Sequence, residues 1–316
     1  MLRRAIPIEV HLPNKGVHTE LTPSQITPRD SPALQDANTW AGAIQKDWGT
    51  SPFCGERLET ASDEYVKALL HCDTSAFPDT IGNTVTNHDA TLSTDSKKFG
   101  TGALSLNGTT AYLEVGTGAY FKFLHAVGTD AEWTVDFWFK AGDFDTAQYF
   151  FDTCGAASAS VGTVFGLNAN RTFTCTIARG VGGAPVMAMT TTGTYPNDTT
   201  NFHHIMVTYD QTPANSNCKI YVDGTVLAGV GNKTAEAPSA ADATYALAIG
   251  AYKVGTPAGF VTGLMDEIRI SNTLRTATDF TPETKAYNSS SAEPVSLIYE
   301  APFNGNTVLT AFTRYT

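Results

Sequence analysis

The sequence has too few basic residues for nucleic-acid binding and no apolar run long enough to cross a membrane. Its 20 lysines and arginines are outnumbered by 31 aspartates and glutamates, so the net charge at pH 7 is -11. Binding to a phosphate backbone depends on an excess of the opposite charge, and we expect no nucleic-acid partner. No stretch approaches the roughly 20 apolar residues that span a bilayer, and we expect no membrane span.

Cysteine is also scarce and irregularly placed. The five cysteines form an odd number, and none has the Cys-x-x-Cys spacing typical of zinc and redox sites. We therefore expect neither a disulfide framework nor a zinc site, and interpret most cysteines as small buried residues of strands. The residues after Met1 are too polar for a signal peptide, which predicts synthesis in a cytoplasm.

Residues 1–64 are rich in proline and predict an extended arm. Prolines recur every few residues between Pro7 and Pro52, which excludes long helices. Such a segment buries no core of its own and needs a surface to lie on, either a partner subunit or its own domain. Short helices are predicted over 31–40 and over 62–67.

Residues 65–278 predict one antiparallel β-sandwich. Short apolar or alternating runs are divided by Gly, Asn, Asp and Pro, a pattern typical of sandwiches and barrels. The predicted strands are 68–72, 103–107, 111–115, 133–140, 148–154, 164–169, 172–179, 185–191, 203–210, 218–223, 246–253 and 260–271.

Two of these runs carry strong local signals. Trp133, Val135, Phe137 and Phe139 alternate with more polar residues, so one face of that strand is predicted to be core. The pair Asp223-Gly224 supplies the positive φ angles of a two-residue hairpin turn.

The last stretch, residues 279–316, is interpreted as a tail. A serine-rich link at 288–291 precedes two β-prone runs, 295–300 and 307–315. These runs can form a terminal hairpin or dock on the sheet edge of a neighbouring subunit.

The order of the pieces resembles the laminin-G-like, concanavalin-type jelly-roll superfamily. The segments that carry the resemblance are 68–73, 98–108, 111–113, 133–140, 203–210, 220–224 and 263–271. The resemblance implies an all-β antiparallel jelly roll, and it leaves function open because one sandwich hosts many activities. In this superfamily a structural calcium is often held where the first strand meets the closing one, which implies Asp73 and Asp266 as ligands. The alternative is that each aspartate forms a turn or accepts backbone hydrogen bonds.

The N-terminal segments 12–21 and 49–53 look like the opening strap of tailed-phage structural proteins. This likeness implies a subunit of a virion assembled in the host cytoplasm. Its partners are then other virion proteins and copies of itself, contacted through residues 1–64 and 279–316, with host-surface glycan as a further candidate.

We expect no enzymatic activity. Jelly-roll glucanases of the laminarinase type carry a Glu-x-Asp-x-x-Glu strand, because two carboxylates must flank the glycosidic bond, and the strand 132–136 has the wrong spacing. Adjacent His203 and His204 face opposite sides of a strand, so they are not expected to share a metal. The leading hypothesis is a decoration, neck or tail subunit of a phage. The alternatives are a soluble bacterial carbohydrate-binding or adhesion module and a glycoside hydrolase.

A sugar site requires exposed aromatic and planar polar groups on a rim or face. Four aromatic residues of the predicted strands and loops are candidates, each with sheet packing as the alternative. They are Trp138, Tyr149, Tyr195 and Tyr252.

Overall fold

In the computed structural model the chain divides into two units, one of Glu64–Ser289 and one of Met1–Asp63 with Ser290–Thr316. The structure describes residues 64–125, 131–155, 160–180, 184–211, 218–231, 234, 236–254 and 256–287, and the backbone of four short strands outside these ranges. In the second unit β1 (Val10–Leu12) pairs with β2 (Gly16–His18). The helix predicted over 31–40 lies outside the described residues.

The described part of the first unit is built almost wholly of strands, joined by turns and by a 3-10 turn at Lys122–Leu124. Its strands are β3 (Val66–Leu70), β4 (Val85–His88), β5 (Thr91–Ser93), β6 (Ala103–Asn107), β7 (Tyr112–Val115), β8 (Glu132–Ala141), β9 (Gln148–Asp152), β10 (Val161–Leu167), β11 (Thr172–Arg179), β12 (Met187–Thr194), β13 (His203–Asp210), β14 (Cys218–Val222), β15 (Thr225–Val226), β16 (Gly229–Val230), β17 (Leu247–Ile249), β18 (Tyr252–Val254), β19 (Thr256–Ala258) and β20 (Thr262–Ser271). In the C-terminal segment, β21 (Leu297–Ile298) pairs with β22 (Ala311–Phe312).

Most of these strands form two antiparallel sheets, and β18 and β19 form a separate pair. Sheet I has the order β16-β12-β11-β10-β9-β17-β7-β4, and sheet II has the order β15-β14-β13-β8-β20-β6-β5. The long strand β20 pairs with β8 on one side, and on the other with β6 and then β3. The predicted all-β antiparallel sandwich is therefore confirmed.

The core lies between the inner faces of the two sheets. On β8, Trp133, Val135, Phe137 and Phe139 point into it, as the alternation predicts. The opposite face of β8 is not exposed, because Asp136 is also fully buried. Because Asp136 has no contact with solvent, another segment of the chain must cover the outer face of sheet II.

The turn between β14 and β15 has the predicted geometry. Asp223 and Gly224 have φ angles of 49° and 79°, as the two central residues of a type I′ turn require. By contrast, the helix predicted over 62–67 is wrong at its end, because β3 begins at Val66, where it pairs with Ser271. Within the part of the chain that the structure describes, no helix has the length and apolar character needed to cross a membrane.

The outer face of sheet II is covered by residues 272–287, which we call the strap. The N–H of Phe280 donates to the carbonyl oxygen of Gly224 over 3.0 Å. The N–H of Val226 donates to Oδ1 of Asp279 over 2.9 Å. These bonds fix the middle of the strap to the β14–β15 turn.

The end of the strap is fixed to β20. Tyr287 is buried, and its N–H donates to Oε2 of Glu267 over 2.8 Å. The segment 279–287, which the sequence assigned to a tail, therefore lies on the sandwich. It does so because Phe280 and Tyr287 find apolar and polar partners there.

Beneath the strap lies a buried charged network. The guanidinium of Arg269 donates from Nε and Nη2 to the two carboxylate oxygens of Asp136, over 3.1 and 2.8 Å. Burial by itself raises the pKa of Asp136, but Arg269 holds it well below its usual range. The ring of Tyr287 lies 3.8 Å from the Arg269 guanidinium, and its hydroxyl is 2.8 Å from Nε2 of His204. For Asp136 and Arg269, protein partners in this network take the place of water.

Candidate functional site

Five aromatic rings lie in two adjoining groups on and beside the outer face of sheet I, and no strap covers them among the described residues. On β7 and β9, Tyr112 and Tyr149 alternate with core residues, since neighbouring strand residues point to opposite faces. We call this set the aromatic face: His88 on β4, Tyr112 on β7, Tyr149 on β9, Tyr252 on β18 and Phe260 two residues before β20.

The first group is built around Tyr112. His88 stands directly opposite it in the β4–β7 register, and the two rings stack with centroids 4.2 Å apart and 4° between their planes. The ring of Phe260 lies tilted, 6.2 Å from Tyr112. Tyr112 is buried, whereas His88 and Phe260 are half-buried. The buried tyrosine therefore supports two rings that reach solvent.

The second group is the pair Tyr149 and Tyr252. Their centroids are 4.7 Å apart in an edge-to-face arrangement. Both rings pack against Gly259, which has a φ of 59°. A Cβ at this position would lie 2.4 Å from the ring of Tyr149. Only glycine fits at this position. Because Gly259 precedes Phe260, the two groups form one continuous face.

An ion pair lies beside the rings. Glu114, two residues from Tyr112 on the same face of β7, contacts Nζ of Lys253 and lies 3.4 Å from Nε2 of His88. Burial lowers the pKa of His88, and the positive charge of Lys253 lowers it further. The imidazole is therefore neutral at neutral pH and has one donor and one acceptor nitrogen.

A buried carboxylate holds the second group in position. Asp152 accepts the N–H of Cys154 over 2.9 Å and the N–H of Lys253 over 2.8 Å. Burial raises the pKa of Asp152, and these backbone donors act in the opposite direction. The bond to Lys253 fixes the start of β18 against the end of β9, and so positions Tyr252 on Tyr149.

The aromatic face combines the groups that recognise carbohydrate. A sugar ring has apolar C–H groups on its faces, which pack on aromatic rings, and hydroxyls at its edge, which need donors and acceptors. Burial raises the pKa of Tyr149 and of Tyr112, so both hydroxyls stay protonated at neutral pH. Glu114, Lys253 and His88 supply charged and neutral polar groups at the margin of the rings.

Of the four aromatic sugar candidates predicted from the sequence, the structure brings two together. Tyr149 and Tyr252 form a half-buried pair. The prediction for Tyr195 is wrong, because this side chain is fully buried and its hydroxyl donates to the carbonyl oxygen of Phe139 over 3.0 Å. The prediction for Trp138 is also wrong, because this side chain is buried beneath Lys98, whose Nζ lies 3.7 Å from the centroid of the Trp138 ring.

His88, Tyr112 and Phe260 were missed by sequence reasoning. None of them belongs to a motif, and only the β4–β7 register brings His88 against Tyr112. The one available signal was the alternation that sets Tyr112 and Phe260 opposite their core neighbours.

The calcium candidates Asp73 and Asp266 contact the same loop, which lies between β5 and β6. Oδ1 of Asp73 accepts the N–H groups of Thr101 and Gly102, and Oδ2 of Asp266 accepts that of Lys98 over 2.7 Å. Burial raises the pKa of Asp266 to about 7, while the backbone donors lower it. Donors that point at these oxygens fit the acceptor role better than calcium, which requires six to eight oxygen ligands. The calcium site stays a prediction.

The histidine pair does not share a ligand position. His203 contacts Asp198 and Asp223 through its two ring nitrogens, while His204 faces the strap on the other side of β13 and contacts Tyr287. Across the described ranges, no group of three or more His, Cys, Asp or Glu side chains could hold a metal ion.

Comparison with known proteins identifies a family for most of the sandwich. A family model described as the concanavalin A-like lectin/glucanases superfamily matches residues 107–280. No curated protein matches the chain in sequence.

The solved structures with a similar fold include binding domains of botulinum neurotoxins. The serotype C1 binding domain has a TM-score of 0.48 and 10% identity over 72% of this chain and 50% of its own. The serotype G binding domain has a TM-score of 0.47 and 11% identity over 67% of this chain and 48% of its own. The chain thus spans about half the length of these structures.

Proposed function

The chain belongs to the concanavalin A-like lectin/glucanases superfamily, and from this premise we propose that it is a non-enzymatic glycan-binding subunit whose aromatic face contacts the sugar. The superfamily contains both lectins and glucanases by its own description, so the choice between binding and hydrolysis depends on the residues of this chain.

The observation that carries the proposal is the Tyr149–Tyr252 pair beside Phe260. These rings are half-buried, whereas the apolar residues of an ordinary sheet face are either covered or replaced by polar ones. Each ring is held in place, by Gly259 or by the buried Tyr112. Rings fixed in advance lose little side-chain entropy when a ligand binds.

The carboxylates support binding without hydrolysis. Retaining and inverting glycosidases both need two carboxylic groups that face the substrate, about 5–10 Å apart. In the part of the chain that the structure describes, the buried carboxylates each accept hydrogen bonds from backbone N–H groups or side chains: Asp79, Asp136, Asp152, Asp266 and Glu267. On the aromatic face, Glu114 is paired with Lys253.

A glycan array tests the proposal directly. The full chain is applied to immobilised glycans and compared with the variants Tyr252→Ala and Phe260→Ala. Removing an aromatic ring that packs on a ligand costs on the order of 1.5 kcal/mol, so each variant should lose about tenfold in affinity. The control is Tyr120→Ala, because Tyr120 is exposed at 41% and lies outside the aromatic face. Equal binding by all four proteins would refute the assignment, as would an absence of glycan binding by the unaltered chain.

We further propose that the assembly that carries this module is a tailed-phage virion. The resemblance of residues 12–53 to phage opening straps supports this role. In it, residues 1–64 and the tail beyond Tyr287 contact neighbouring subunits or copies of the same chain. The alternative is a soluble bacterial carbohydrate-binding module, which has no need of contacts through these segments.

Limited proteolysis with mass spectrometry separates the two roles. The isolated chain is compared with the same chain in its native particle. Cleavage within residues 1–60 and 290–316 of the isolated chain, with protection in the particle, is the outcome expected for an assembly subunit. Equal protection in the isolated chain would favour the soluble module.

A further inference from the structure

A cavity of about 300 Å³ opens on the other side of the sandwich, between the outer face of sheet II and the strap. Its floor is formed by residues of β8, β13 and β20, including Asp136, Met206 and Arg269, and its roof by strap residues such as Phe280 and Thr281. The volume is at the lower end of the range for ligand pockets. This volume has room for about one small ring.

The opening of the cavity lies on the exposed part of the strap. Thr281 and Glu283 line the cavity and are both exposed, whereas Phe280 and Tyr287 on either side are held against the sheet. A ligand can therefore enter between two fixed points of the strap without displacing them.

The charges that line the cavity cancel. Two carboxylates, Asp136 and Glu283, face two guanidinium groups, Arg269 and Arg275. Arg269 is bonded to Asp136 and lies 3.8 Å from Glu283, while Nε of Arg275 donates to Oγ of Ser271. A lining with balanced charge and both donors and acceptors favours an uncharged ligand rich in hydroxyl groups over an ion.

One polar atom of the lining residues has no partner among the described residues. His204 is only 2% exposed, and its Nε2 contacts the hydroxyl of Tyr287, but its Nδ1 makes no hydrogen bond. Nδ1 is a donor in one tautomer and an acceptor in the other. A buried group of this kind normally has a protein, water or ligand partner.

We propose that this cavity is a second ligand site, which takes a single uncharged hydroxylated ring such as a terminal neutral sugar residue. The hydroxyls of the ring bond to Glu283, to the guanidinium groups and to His204, and its C–H face packs on Met206 and Phe280. The site lies on the opposite sheet from the aromatic face, so it does not depend on the function proposed there.

Saturation-transfer NMR with free monosaccharides tests the site. The probes are galactose, glucose, mannose and N-acetylglucosamine as neutral rings, with sialic acid as the anionic comparison. The full chain is compared with Thr281→Trp, which fills the opening of the cavity. The matched control is Thr284→Trp, since Thr284 is also exposed on the strap but does not line the cavity.

We expect at least one neutral monosaccharide to receive saturation from the unaltered chain and from Thr284→Trp, with at least tenfold weaker binding to Thr281→Trp. Tyr252→Ala should leave this binding unchanged, which separates the cavity from the aromatic face. The proposal is overturned if no neutral monosaccharide binds, if Thr281→Trp binds as well as the control, or if only sialic acid binds.

Discussion

The side chains on the two outer faces of the sandwich are packed in different ways. On sheet II, the strap covers the strands, and a buried ion pair between Asp136 and Arg269 takes the place of solvent. On sheet I, rings such as Tyr149 and Tyr252 remain half-buried without a covering segment among the described residues. A face closed by its own chain contributes to stability and leaves room for a ligand in the cavity beneath the strap, while a face of held but uncovered rings is directly available to a ligand.

The largest expected effect comes from breaking the ion pair of sheet II. Arg269→Met leaves the carboxylate of Asp136 buried without its cation, which should lower the free energy of unfolding by about 3–5 kcal/mol. Denaturant unfolding measures the loss. The matched control is Lys122→Met, which breaks the exposed pair of Lys122 with Asp242 and should cost about 1 kcal/mol or less. Equal losses of unfolding free energy in the two variants would show that the buried ion pair contributes no more to stability than the exposed one.

A smaller effect is expected where the strap meets the β14–β15 turn. Gly224 has a φ of 79°, and a Cβ there would lie 1.8 Å from the carbonyl oxygen of Phe280. Gly224→Ala should therefore destabilise the fold by about 1–3 kcal/mol and loosen the strap.

Gly82 provides the comparison for that variant. Its φ is 99°, but a Cβ would meet nothing within 4 Å, so Gly82→Ala carries the backbone strain without the clash. Thermal unfolding of both variants isolates the contact with the strap. A loss in Gly82→Ala as large as that in Gly224→Ala would contradict the role given to Phe280.

The effect that is smallest per step of the experiment, because it is spread over several pH units, concerns the titration of Asp136. Its pKa in the folded state lies below the ~3.9 of an unfolded aspartate. The resulting stabilisation is present above the unfolded pKa and is lost as the pH falls towards the folded one. Between about pH 5 and about pH 2, the unaltered chain should lose up to ~1.4 kcal/mol per pH unit more than Asp136→Asn. Urea unfolding at stepped pH measures both slopes, and identical slopes would contradict the assignment.

Much of the fold could be predicted from local sequence signals. The alternation in β8 identified its core face, and Asp223-Gly224 identified the hairpin turn, because period and turn chemistry are properties of neighbouring residues. The burial of Asp136 could not be predicted in this way. Its partner Arg269 is 133 residues away in sequence, and no local pattern joins them.

The candidate site was predictable only in part for the same reason. Tyr149 and Tyr252 were candidates as aromatic residues of strands, but so was Tyr195, which the fold buries against Phe139. Which tyrosines remain half-buried depends on the strand order in sheet I and on Gly259, both products of the tertiary fold.

The most direct test of the central claim is hydrogen exchange of the full chain, measured by mass spectrometry with and without an oligosaccharide selected on the array. The chain should carry Thr281→Trp, so that the cavity beneath the strap does not contribute. The account predicts slower amide exchange at residues 252–260, with unchanged exchange at residues 272–287. Protection confined to residues 272–287, with none at 252–260, would contradict the claim that sheet I presents the ligand-binding face.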